Sequence, residues 1–185
     1  DMVKFDLLKY KHIGNINRGG NLLLVRKPTV LRLTDPKAEP VVCGVQEGQE
    51  SWLAMVLWGG EFLGWNIRCI PGYSGSSDQE LAIQRGENDI IGSTNAFMVH
   101  RLVKEGVAEL ICQMGSFKKG KVMRRPDFPD APTFLEKLGD KKPTGIPWKA
   151  YLAWISGKEV DKFLSAPPGT PDKYVSVLVD AFEKN

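Results

Sequence analysis

Reactive side chains are scarce in this sequence. It holds two histidines and three cysteines, and no motif arms either set. His12 lies between Lys11 and Ile13, and His100 follows Val99. Neither adjoins a cysteine, serine or carboxylate in a recognised catalytic order. No His-Glu-x-x-His, Gly-x-Ser-x-Gly, phosphate-binding loop or Gly-x-Gly-x-x-Gly occurs. These gaps weigh against an enzyme without excluding one. No catalytic residue, metal ligand or cofactor is expected.

Other absences narrow the class. No run approaches the roughly 18 apolar residues that a membrane span needs. Asp1–Tyr10 mixes charged and apolar residues and does not read as a signal peptide. Three readings follow: a cytoplasmic protein, a leader already removed, or a chain that starts inside a longer one. The formal net charge is only +3, which does not point to a nucleic-acid binder. The densest basic stretch, Lys118, Lys119, Lys121, Arg124 and Arg125, reads as a solvated loop. Cys43, Cys69 and Cys112 each fall in an apolar run that reads as a strand, at spacings that match no zinc motif. An odd count leaves at least one thiol unpaired. Small buried hydrophobes are expected rather than a disulfide framework.

What is there suits an α/β protein. The 185 residues are 42% hydrophobic and 25% charged, enough for one domain, or one large lobe with attached pieces of a second. Nineteen glycines and twelve prolines imply many tight loops. Leu22–Arg26 and Val41–Gly44 are apolar runs bounded by Gly and Pro, as buried strands are. Ser51–Leu63 reads as a buried helix that frays at Gly59-Gly60, and Asn66–Ile70 as the next strand. Ser77 and Glu80 are spaced as a capping box for a helix through Leu81, Ala82 and Ile83, closed by Gly86. Asp89–Gly92 reads as a strand. Ser93, Thr94 and Asn95 offer N-caps for a helix through Phe97, Val99, Leu102 and Val103, ended by Gly106. Val107–Gln113 is a further strand. The alternation predicts a mostly parallel sheet with helices on both faces.

The C-terminal third is looser. Arg125–Thr133 holds three prolines and reads as an extended loop. Thr133 and Glu136 are spaced as a second capping box, opening a short helix closed by Gly139. Lys141–Trp148 reads as another loop and Ser165–Pro171 as a rigid turn. Thr170 is expected to cap a last helix, with Pro171 at its first position and Asp172 at its positive end. Val175, Leu178, Ala181 and Phe182 would form its apolar stripe. Trp52 and Trp58 are expected in the core. Trp148 and Trp154 either line a cleft or pack ordinarily.

Ligands of parallel α/β sheets bind at the carboxyl ends of the strands. Three loops occupy that position. The first, Gly44–Ser51, supplies Gly44, Val45, Gln46, Gly48, Gln49 and Ser51 as candidate ligand residues. The second, Pro71–Asp78, supplies Tyr73, Ser74, Gly75 and Ser76. The third, Gly92–Asn95, supplies Ser93, Thr94 and Asn95. Each leads into a helix, whose free N–H groups favour a carboxylate or other anion. Ser51, Ser76 and Thr94 are the expected hydroxyl donors. Tyr73 either stacks on or bonds a ligand, or simply plugs the sheet edge. Each loop taken alone also reads as no more than a cap and a turn.

The order of these segments resembles the receptors of tripartite tricarboxylate transporters, bacterial periplasmic proteins that capture small carboxylates. Phe5–Ile16 looks like the family's segment introducing the second lobe, and Leu22–Pro28 like its hinge-crossing strand. Gly48–Ala54 falls where the family opens a helix with Gly and small hydroxyl residues. Ile70–Gly75 resembles its Pro-Tyr-x-Gly loop, Arg85–Ile90 its Gly-Glu-x-Asp turn, and Asp130–Gly139 its Asp-x-Pro-Thr stretch. Ala166–Pro171 is nearly identical to its Ala-Pro-x-Gly-Thr-Pro signature.

The resemblance implies one lobe of a type 2 periplasmic-binding-protein fold plus C-terminal pieces of the other. Residues 1–21 would lead in from a lobe segment absent from this chain. Residues 22–113 would be the ligand-binding lobe, with hinge strands at Leu22–Arg26 and Val107–Gln113. Residues 114–185 would include a final helix belonging to the other lobe. It further implies closure like a Venus flytrap without reaction, a small carboxylate as solute, membrane transporter subunits as partners, and a periplasmic location. Exposed apolar surface on such a fragment would favour a homodimer. Three features depart from the family: the missing N-terminal segment, Gln49 and Glu50 in place of small hydroxyls, and a Pro71-Gly72-Tyr73 loop with an inserted glycine and Ser74 for a basic residue. Glu50 would repel a ligand carboxylate. The rivals are an orphan α/β enzyme, a cytoplasmic effector-sensing domain, and a scaffold fragment without ligand affinity.

Overall fold

Four successive apolar side chains, Leu22 to Val25, are completely buried, and a strand explains how. Alternate side chains leave a strand on opposite faces. Leu22 and Leu24 join Ile83, Ile91, Val99 and Leu102 in one core cluster. Leu23 and Val25 join Val41, Met55, Val56 and Phe134 in another. A strand buried on both faces requires helices on both faces. Each such aliphatic side chain contributes roughly 1.5–3 kcal/mol by leaving water.

The computed structural model describes residues 6–17, 20–48, 50–118, 121–157 and 162–184. Gln49 and Lys119, both named above, lie outside these. In chain order the elements are β1 (Lys11–Asn17), β2 (Leu22–Arg26), β3 (Val41–Val45), α1 (Leu53–Leu63), β4 (Ile67–Pro71) and α2 (Ser76–Arg85). There follow β5 (Ile90–Ser93), α3 (Ala96–Lys104), β6 (Ala108–Gln113), β7 (Ser116–Lys118), β8 (Lys121–Met123) and α4 (Phe134–Leu138). The last are α5 (Gly145–Ser156), β9 (Lys162–Ala166) and α6 (Asp172–Glu183). The chain divides into two units, residues 19–159 and residues 1–18 with 160–185.

The larger unit is built on a five-stranded sheet in the order β4-β3-β5-β2-β6. β3 is parallel to β4 and to β5, while β2 is antiparallel to β5 and β6. Four strands therefore run one way and β2 runs against them, so the expected mostly parallel α/β sheet is present. α2 and α3 bury residues in the Leu22/Leu24 cluster and α1, α4 and α5 in the other.

Several local expectations need correction. α1 does not fray at Gly59-Gly60; it runs to Leu63 and ends at Gly64, whose φ is 69°. Gly59 is small for packing instead, since a Cβ there would lie 2.0 Å from the Trp65 ring. The Ser77–Glu80 capping box does not form. α2 starts at Ser76 behind Gly75, with no side-chain cap. Glu80 then sits too far along the helix to reach its start, and it pairs with Arg101 of α3. Of the proposed α3 stripe, Val99 and Leu102 are buried, but Phe97 and Val103 are exposed, Phe97 to 77%. Lys141–Trp148 is not all loop, because α5 begins at Gly145. Pro147 falls in the first turn of α5, where no N–H is required for an internal bond. Arg125 is no solvated residue; it is 5% exposed. Cys43 and Cys112 are buried as expected, but Cys69 is exposed.

Other readings hold. Asn95 caps α3 by accepting from the Met98 N–H at 3.3 Å. Thr133 and Glu136 make both halves of a capping box at α4. Gly86 ends α2 with a φ of 79°.

In the smaller unit β1 pairs antiparallel with β9. The strand reaches Ala166, so the first residues of the supposed Ser165–Pro171 turn are extended. α6 packs over β1: a Cβ on Gly14 would lie 2.3 Å from the Phe182 ring. Thr170 does not cap α6; its hydroxyl donates to the Pro167 carbonyl at 2.8 Å. Pro171 is the residue before the helix, and Asp172 opens it while pairing with Lys11. Leu178 and Ala181 of the expected stripe are exposed, and Val175 and Phe182 are half-buried.

Candidate ligand-binding rim

The parallel order β4-β3-β5 sets the carboxyl ends of three adjacent strands, at Pro71, Val45 and Ser93, on one rim. The three polar loops read from the sequence start there. They are braced by residues that the sequence did not single out.

The first loop is tied down at its root. The Gly44 N–H donates to Asn88 Oδ1 at 2.7 Å, and the Gly44 carbonyl accepts from Gln79 Nε2 at 2.8 Å. Asn88 and Gln79 are buried. The Val45 carbonyl accepts from the Gly72 and Tyr73 N–H groups at 3.1 and 3.3 Å, linking the first loop to the second. The Gln46 N–H donates to the Glu50 carboxylate. Glu50 Oε1 also accepts from Gln79 at 3.3 Å, whereas Glu50 Oε2 is buried with no hydrogen-bond partner among the described residues. The backbone of Gly44–Gln46 is thus engaged within the fold. Gly48, with φ 77°, is the exposed tip of the turn. Ser51 is half-buried; its Oγ accepts from Asn21 Nδ2 at 2.8 Å and its carbonyl from Trp154 Nε1 at 3.0 Å. Accepting at Oγ leaves the Ser51 hydroxyl proton to donate elsewhere.

In the second loop Tyr73 lies over Gly44, where a Cβ would come within 2.3 Å of its ring. Burial, and then the charge of Glu87, push the Tyr73 phenol above its usual range. Ser74 and Ser76 are exposed and Gly75 is half-buried. α2 has no side-chain cap, so no side chain of its N-cap residue satisfies its first N–H groups. In the third loop Ser93 Oγ accepts from the Asn95 N–H at 3.0 Å, and Asn95 caps α3. Thr94 is 9% exposed, and its carbonyl accepts from Arg125 Nη1 at 3.3 Å.

Hydroxyls and amides are plentiful in these three loops, which also carry the carboxylates Glu47, Glu50 and Asp78. Among the described residues no group of three or more His, Cys, Asp or Glu is placed to hold a metal ion. No helix there is long and apolar enough to cross a membrane. Trp148 stacks on Tyr151 with ring centroids 5.3 Å apart, in ordinary packing; Trp154 packs on Trp58 and braces Ser51. Asn21, Gln79 and Asn88 are the site residues that sequence reasoning missed. For Asn21 and Asn88 an amide just before an apolar strand is the only local signal; Gln79, within α2, gives none.

These features belong to an α/β fold built on a mostly parallel five-stranded sheet. No protein-family model matches the chain. No curated protein matches it either. Solved structures do. MatC from Rhodopseudomonas palustris with bound malate is 18% identical, with a TM-score of 0.55 over 95% of this chain and 54% of that one. The periplasmic binding protein BugD is 19% identical, with a TM-score of 0.57 over 94% of this chain and 53% of its own. A TctC solute-binding protein from Polaromonas, without ligand, is 18% identical, with a TM-score of 0.58 over 99% and 57%. The chain therefore has the fold of roughly half of a periplasmic solute-binding protein of the TctC and Bug type, and spans little more than half the length of these structures.

Proposed function

We propose that this chain is the ligand-binding lobe, with pieces of the second, of an extracytoplasmic receptor that captures a small carboxylate for a tripartite tricarboxylate transporter. The observation that carries this reading is the convergence of three polar, helix-leading loops on the rim formed by β4, β3 and β5. Helix N–H groups and neutral hydroxyls bind an anion reversibly without activating it. The bound malate of MatC is a solute of the same class. Among the described rim residues no nucleophile is paired with a base, and reversible binding is the chemistry this reading gives the rim. The periplasm is the compartment this role requires, and the transporter's membrane subunits are the partners.

Ser51, Ser76 and Thr94 supply the hydroxyl donors. Gly48, Tyr73, Ser74, Gly75, Ser93 and Asn95 shape the wall around them. The backbone of Gly44, Val45 and Gln46 sets the root of the first loop. Calorimetric titration of the chain with malate and other short dicarboxylates tests this. Replacing Ser51, Ser76 and Thr94 together by alanine is expected to weaken binding at least tenfold, each lost charged hydrogen bond costing about 1.5–3 kcal/mol. Equal affinity in the triple variant, or no binding of any carboxylate, overturns the reading.

A further inference from the structure

Two of the three cysteines meet across adjacent strands. Cys43 of β3 and Cys69 of β4 are register partners in a parallel pair. Such partners project to one sheet face, and neighbouring strands lie about 4.8 Å apart, inside the roughly 4.4–6.8 Å that a disulfide spans between Cα atoms. Neither cysteine is in a disulfide, and the register sets the two thiols side by side, close enough for each to shift the other's titration. β4 is the edge strand, so Cys69 is exposed while Cys43 is buried.

The two thiols are not equivalent. The interaction with Cys69 holds the proton on Cys43, and burial adds to this. The same interaction brings Cys69 down to about 7, against the opposing effect of its partial burial. An exposed thiolate beside a protonated partner is the arrangement of an attacking and a resolving cysteine. Cys112 stands apart, fully buried, with its thiol pushed up by burial to about 12.

We propose that Cys43 and Cys69 form a reversible dithiol–disulfide site, oxidised by exchange with a low-molecular-weight disulfide such as oxidised glutathione. The Cys69 thiolate attacks one glutathione sulfur. The glutathione S–S bond breaks, and one glutathione thiolate leaves with the electron pair. Capping Cys69 abolishes the interaction that held the Cys43 proton. Cys43 gives that proton to solvent, attacks Cys69 Sγ and expels the second glutathione. Two protein thiols are oxidised to one disulfide while one glutathione disulfide is reduced to two thiols. The new bond fastens the edge strand to its neighbour at the roots of the Gly44 and Pro71 loops. It does not depend on what those loops bind.

Incubation of the folded chain with oxidised glutathione, followed by intact-mass and peptide mass spectrometry, tests this. The expected product is a monomer lighter by about two hydrogens. It carries a Cys43–Cys69 linked peptide, has only Cys112 left to alkylate after unfolding, and is restored by dithiothreitol. Cys69→Ser, at an exposed position, is expected to keep both remaining thiols. A stable glutathione adduct on Cys69, a disulfide-linked dimer, or three alkylatable thiols after incubation would each overturn the proposal.

Discussion

The guanidinium of Arg125 donates to the carbonyl of Thr94 at 3.3 Å, and the same Nη1 donates to the carbonyl of Gly20 at 2.9 Å. The third rim loop is thereby fastened to the segment that precedes β2. Arg125 is also paired with Asp127 at 2.6 Å. Arg125→Ala leaves two carbonyls without their donor and Asp127 without its partner. A loss of about 1–3 kcal/mol is expected, since two buried carbonyls lose their donor, while the Asp127 carboxylate, 40% exposed, is left to water and adds little. Urea unfolding measures it. A loss under about 0.5 kcal/mol, the range of ordinary surface substitutions, would show that the guanidinium does not hold the loop.

Gly92 and Trp52 are in direct contact, and a Cβ on Gly92 would lie 2.2 Å from the Trp52 ring. Gly92→Ala is expected to cost about 1–3 kcal/mol by overpacking. The cost should shrink in a Trp52→Ala background, where the obstructing ring is gone. A double-mutant cycle in urea reads this coupling directly. Additive losses would mean that Trp52 moves aside freely.

Much of the sheet was legible because its signals are local. Leu22–Val25 is apolar at every position, and Thr133 and Glu136 carry a cap within one turn. What escaped depends on partners distant in sequence. The antiparallel insertion of β2 between β5 and β6 is invisible to a strand–helix alternation. Glu80 looked like a cap residue because Arg101, its partner on another helix, is not nearby in the chain. Arg125 sat in a basic run that composition reads as solvated, yet buried carbonyls claim it. Pro147 imitates a loop although it suits the first turn of a helix, and Gly145 leads into α5 with a left-handed φ of 65°. At the rim, the three loops could be placed from the order of strands. Their bracing by Asn21, Gln79 and Asn88 could not, because each amide serves a backbone or side chain far along the sequence, as Asn88 does for Gly44.

Glu136 gives the fold an acid-sensitive contact. Its hydrogen bonds with Arg124 draw the carboxyl down from 4.5 to about 2, and the Thr133 backbone and side chain add to the shift. A carboxyl that is more acidic when folded stabilises the fold fully above 4.5, and the contribution fades as pH falls from 4.5 towards about 2. The pair is about half exposed, so solvent limits the gain to about 1 kcal/mol or less. Melting temperatures of the chain and of Glu136→Gln should differ at pH 7 and converge as the acid limit is approached. A difference that persists unchanged at the acid limit would assign the effect to packing rather than charge.

Glu50 bears on which solute the proposed rim accepts. Its carboxylate already takes the Gln46 N–H and a hydrogen bond from Gln79, and Oε2 is buried without a partner among the described residues. A fixed negative charge in the loop opposes a ligand carboxylate approaching the same rim. At separations of several ångströms and an effective dielectric between that of protein and water, the repulsion is about 1 kcal/mol. Glu50→Gln keeps an oxygen to accept from Gln46 and removes the charge. Affinity for a short dicarboxylate is therefore expected to rise about three- to tenfold, with the gain shrinking as salt screens the repulsion. Titration calorimetry at low and high salt measures both. A weaker complex would mean instead that Glu50 receives a donor from the solute, and that the rim selects a ligand carrying an amine or hydroxyl beside its carboxylate.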